Sequence, residues 1–127
     1  MKTRQAWHWA AVLLLMALAG ASSQARADEV PLVTGEHWTR SSEQVKKSYL
    51  IGVANVIQIE SAYHAGNAPP DSQSIIPRTV RGLKGQSLDS VRSALDNWYA
   101  THPDRLQRPV IETLWFEMIV PGLNSKP

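Results

Sequence analysis

Residues 41–65 hold a helical period through about seven turns with no proline to break it, and this run most constrains what the chain can become. Ser41-Ser42-Glu43-Gln44 has the form of a helix start, with Ser41 as N-cap and Gln44 closing a capping box. Gly66 is placed to end the helix in the left-handed conformation. At 1.5 Å per residue the rod is roughly 35 Å long, about the width of a 100-residue domain, so it has to cross the molecule. The expected fold is all-α: a small single-domain bundle of about three to five helices around a long central helix.

On a wheel of about 100° per residue with Val45 at zero, the apolar residues fall in one arc from about −40° to about +140°. Ile59, Gly52, Val45, Tyr63, Val56, Tyr49, Val53, Ile57 and Leu50 make up that arc. Lys47, Ala54, Gln58, Ser61 and Glu43 gather opposite. So wide an arc predicts a helix flanked on two sides. Gly52 within a helix costs about 1 kcal/mol against Ala, and its place in the arc predicts the close approach of another helix backbone.

The rest of the chain is punctuated by proline and glycine. Residues 28–38 carry Pro31 and Gly35 without a helical period and read as an extended lead-in. Residues 67–74 form a loop around Pro69-Pro70, and 75–85 allow one short helical turn near 79–83. Ser87 caps a second clear helix with Leu88, Val91, Leu95, Trp98 and Tyr99 on one face, ending before His102-Pro103. Residues 109–120 fit a third helix opened by Pro109 and stopped by Pro121-Gly122. They also fit a strand, which would place Leu114, Phe116, Met118 and Val120 on one face.

Residues 1–27 read as an export signal: Lys2 and Arg4 ahead of an apolar run of 12 residues over 10–21, then Ala25-Arg26-Ala27 as the cleavage site. The run is short of the ~18–20 residues of a permanent anchor. The expected product is one domain over 28–127, beginning at Asp28, periplasmic or secreted and without a stable membrane anchor. Three of the thirteen basic residues leave with the signal and none of the eleven acids does, so the charge passes from +2 to −1. With it goes the main support for a nucleic-acid partner. The absence of cysteine excludes a disulfide scaffold, a thiol nucleophile and a thiolate metal site.

Two groups of residues carry candidate chemistry. Glu60 lies near +60°, inside the apolar arc, and has to find a partner or reach solvent. His64 follows at i+4, so the two form a candidate acid/base or metal-ligand pair. The alternative is a structural hydrogen bond, or a pairing of Glu60 with Arg92 or Arg108. His37 and His102 lie in other loops and complete no zinc spacing. No G-x-S-x-G, S-x-x-K or phosphate loop occurs, so no catalytic residue or cofactor is assigned and the chain is read as a non-enzyme. Trp115, Phe116 and Ile119 exceed what one buried helix face accommodates and are candidate partner-binding residues; otherwise the aromatic residues are core anchors.

The order of these pieces resembles a known group. Lys46-x-x-Tyr49-Leu50-x-Gly52-Val53 lies in the long helix, and Leu83-x-Gly85-x-Ser87-Leu88-x-x-Val91 leads to Asp96-x-Trp98-Tyr99. Arg108-Pro109-Val110 opens the last segment. Across residues 36–120 this is similar to the Rap/Tai group of small exported helical proteins, although those commonly carry cysteine pairs. The resemblance implies a compact all-α domain that binds and blocks a cell-wall-degrading amidase toxin. A fainter likeness is to periplasmic acid-stress chaperones. The expected function is protein binding as a monomer or homodimer, with a small hydrolase or metal-binding protein at Glu60 and His64, or an envelope-assembly protein, as alternatives.

Overall fold

Thr34 converts what reads as an extended lead-in into a helix. In the computed structural model, which describes residues 30–125, α1 spans Gly35–Arg40. The Thr34 N–H donates to His37 Nδ1 at 3.2 Å, so histidine stands where a capping box uses Glu or Gln. His37 is therefore a helix residue rather than a loop residue. The reading of 1–27 as an export signal lies outside the described residues.

Ser42, not Ser41, starts the long helix α2 (Glu43–Tyr63). Its hydroxyl accepts from the Val45 N–H at 3.3 Å. Ser41 is held by the preceding helix, its hydroxyl donating to the His37 carbonyl at 2.7 Å. The later start makes Val45 the third helical residue, so Gln44 closes no capping box. After the loop come α3 (Ile76–Gly82) and α4 (Leu88–Thr101), the latter capped by Ser87 and closed at His102 as its sequence predicts. A 3-10 turn, Pro103–Arg105, leads on to the last helical run.

That run is helix, not strand. It consists of α5 (Val110–Leu114), a π-helical turn (Trp115–Ile119) and α6 (Val120–Asn124). Pro109 sits just outside as N-cap. Pro121-Gly122 does not stop the helix, because the chain has already widened: the Val120 N–H donates to the Trp115 carbonyl, five residues back. A wide turn eases the clash a proline ring makes with the carbonyl one turn earlier. It also shifts the phase. With α geometry throughout, Ile119 would lie about 180° from Val110, and the extra residue in the turn brings it back toward the core by about 100°. Ile119 is 2% exposed.

The core is formed by Trp38 from α1, Leu50 from α2, Val91, Leu95 and Tyr99 from α4, and Val110, Leu114 and Ile119 from the last run. The Tyr99 hydroxyl, buried among them, donates to the Arg108 carbonyl at 3.0 Å and shares a hydrogen bond with Thr113 Oγ1 at 2.9 Å. The stretch before α1 is pinned to the start of α5 through Val110 N–H to the Val33 carbonyl at 2.8 Å.

Among the described residues helix α2 packs on α4 and on α3, and much of its remaining apolar surface is exposed. Leu50 is its sole fully buried residue, while Val45, Val56, Ile59 and Tyr63 are 55%, 63%, 71% and 85% exposed. Half of the predicted apolar arc faces outward. Among the described residues nothing outside its own helix backbone lies within 4 Å of a Cβ placed on Gly52, so the close approach expected there is not made among them.

Candidate functional site

Among the described residues, two of the recesses that open on α2 bear on function. One lies at its C-terminal end, where Glu60, Ser61 and His64 face Pro69, Ile76, Pro77, Val80 and Arg81 across a cleft of about 460 Å³. The structure thus brings Glu60 and His64 to one cleft. The His64 ring lies edge-on to Tyr63, with centroids 5.0 Å apart. Neither arginine expected for Glu60 reaches it: Arg92 pairs with Asp96 at 2.9 Å, and Arg108 with Glu112 and Glu117 at 3.2 and 2.7 Å. Arg81, within the cleft, is held by Asp71 at 2.7 Å. His37 and His102 are tied locally, His102 donating from Nδ1 to the Trp98 carbonyl at 2.7 Å. Among the described residues no three His, Cys, Asp or Glu side chains are placed to hold one metal ion.

The second recess is an apolar groove of about 290 Å³. Val53, Val56 and Ile57 of α2 form one wall, and Ile111, Leu114, Trp115 and Ile119 form the other. Ile75, Ile76 and Thr79 close it, so nine of the ten lining residues are apolar. Water at such a surface is released when a partner covers it, at about 25 cal/mol per Å². The Arg78 guanidinium lies over the Trp115 ring at 5.1 Å and fixes that wall.

The candidates Trp115, Phe116 and Ile119 do not make one patch. Trp115 and Ile119 line the groove, but Ile119 is core and offers almost no surface. Phe116 is 53% exposed on another side, against the Arg108 guanidinium at 5.7 Å. Arg108 also lies 5.0 Å from the Trp98 ring, which stacks on His102 at 4.3 Å. Burial works against the Arg108 charge, yet Glu117 and Glu112 hold it above its ordinary value. Phe116 follows Trp115 directly and so points away from it on any helix, and the π turn widens its angle from Ile119.

Asp96 is the polar residue that sequence reasoning missed. Its Oδ1 accepts from the Trp38 indole N–H and from Lys46 Nζ, each at 2.8 Å, and its Oδ2 from Arg92 at 2.9 Å. It joins α1, α2 and α4 at one carboxylate. The signal available was Arg92 four residues before it, a local ion-pair spacing, but nothing in that spacing shows that Trp38 and Lys46 join the same carboxylate.

No family model matches the chain, and no curated protein or solved structure matches it.

Proposed function

We propose that this is an exported protein of the bacterial envelope that acts by binding another protein, with the apolar groove as its docking site. One observation carries the reading. The groove rim holds Val56, Ile75 and Ile111 at 63%, 54% and 41% exposure around an almost wholly apolar lining. A contiguous apolar recess with an aromatic wall is the form a protein-binding hot spot takes. The export reading rests on residues 1–27, and the resemblance to the Rap/Tai group makes a cell-wall-degrading amidase the partner class to try first.

Calorimetric titration against a panel of cell-wall amidases tests this. Wild type binds one of them, and Ile111→Glu, placed on the exposed rim, weakens that binding at least about tenfold while leaving the circular dichroism unchanged. Equal binding by Ile111→Glu removes the groove from the account. Mass spectrometry of protein recovered from the periplasm tests export, with Asp28 as the expected first residue.

The competing reading is a small metal-binding protein or hydrolase, favoured because Glu60, Ser61 and His64 open on the same cleft. Zinc titration decides the metal version: a heat of binding lost in His64→Ala supports it, and no heat with wild type discards it.

A further inference from the structure

Between Lys47 and Glu60 lie twelve consecutive residues without a charge, on a helix whose outer side faces water. Surface helices are ordinarily charged on that side. Along it Val45, Tyr49, Gly52, Val56, Ile59 and Tyr63 follow one another at steps of four, three, four, three and four. This is the spacing of a helix-to-helix seam, with a repeat of 3.5 residues. Tyr49 is half-buried against Trp38, with ring centroids 6.2 Å apart, and Val45, Val56, Ile59 and Tyr63 are mostly exposed.

We infer that a second copy of this chain covers the seam, its α2 running antiparallel about a two-fold axis at Ala54. In that register Val45 meets Tyr63 of the second copy, Tyr49 meets its Ile59, and Gly52 meets its Val56. Each of these layers sets a smaller residue against a larger one. Gly52, with nothing among the described residues beyond its own helix backbone within 4 Å of a Cβ placed there, lets the two backbones approach. The close approach predicted at Gly52 is then met between copies.

Charge selects a second copy and fixes its direction. Lys46 and Glu60 are the charged residues that border the seam, and they lie on the same flank. The antiparallel register sets Lys46 of each copy beside Glu60 of the other, at both ends of the seam. Among the described residues Glu60 makes no ion pair within its own chain, whereas Lys46 already shares Asp96. The other flank is uncharged, with Asn55 facing Asn55 across the axis and Ser48 facing Ala62.

Area bounds the size of the interface without fixing its strength. The exposed seam with its flanks offers on the order of 600 Å² per copy, somewhat below the ~800 Å² per partner of a standard interface. An area at the low end for a specific interface fits a weak, concentration-dependent dimer, so the test spans a wide range of protein concentration.

Sedimentation equilibrium tests the assembly on protein expressed with its native N-terminal segment, so that any processing is the cell's own. The mean mass rises from one copy toward two between about 1 μM and about 200 μM. Ile59→Glu and Tyr63→Glu each stay at one copy with unchanged circular dichroism, because both side chains are exposed. Glu60→Lys weakens the dimer. A chain free of cysteine gives a clean test of direction: Asn55→Cys oxidises to a disulfide-linked dimer, whereas Ser48→Cys does so only when mixed with Ala62→Cys. A wild type that stays at one copy, or an Ile59→Glu variant that dimerises as wild type does, overturns the proposal. Self-linking of Ser48→Cys alone overturns the antiparallel direction. Val56 belongs to both the groove rim and the seam, but Ile59 and Tyr63 lie off the groove and Ile111 lies off the seam, so variants at these three positions tell failure here from failure of partner binding.

Discussion

Gly82 and Gly122 meet back to back: a Cβ built on Gly122 would fall on the Gly82 carbonyl oxygen. This contact lets α6 lie on α3, and it depends on the helix running through Pro121. Gly122→Ala forces the two helices apart and lowers stability by about 1–3 kcal/mol. Gly52→Ala, with open space around it, raises the stability of the single chain by up to about 1 kcal/mol. Guanidinium unfolding at low protein concentration compares them, and equal midpoints for the two variants contradict the assignment.

Asp96 leaves a graded signature. Asp96→Ala strands the Trp38 indole N–H and two half-buried cations, at a cost of about 2–4 kcal/mol. Asp96→Asn keeps an acceptor for Trp38 and costs less, about 1–2 kcal/mol. Chemical denaturation followed by tryptophan fluorescence gives the order, and an Asn variant as unstable as Ala shows that charge alone matters there.

Alkaline pH unfolds the protein partly through its tyrosines. Burial holds the Tyr49 and Tyr99 phenols above the ordinary 10.0. The folded chain then keeps those protons to higher pH than the unfolded chain. The stability they contribute is full below pH 10 and is lost as pH rises through the folded-state values. Tyr49→Phe removes one of the two, so its melting temperature falls less steeply than wild type between about pH 9 and about pH 11. Parallel profiles contradict this.

Phe116 and Ile119 separate by depth. Phe116→Asp loses a stacking contact with Arg108, about 0.5–1 kcal/mol, and remains folded. Ile119→Ala opens a hole in the core and costs about 2–5 kcal/mol. Thermal melts of the two variants check the difference.

The sequence by itself determined the helices that local forces make. Ser87 and the apolar face of Val91, Leu95 and Tyr99 define α4 because capping and a 3.6-residue period act within one segment. The long rod of α2 follows in the same way, within a residue at its start and two at its end. Glu60 and His64 share a cleft because i,i+4 spacing places them on one face. Tertiary structure decided the rest. Hydropathy shows that Val45, Val56, Ile59 and Tyr63 are apolar, but only the positions of α3 and α4 decide that they face outward. The π turn at Trp115–Ile119 sends Ile119 inward and carries the helix through Pro121, against the α-helical phase. Asp96 collects Trp38 and Lys46 from more than forty positions away, and no local pattern encodes a contact made across the fold.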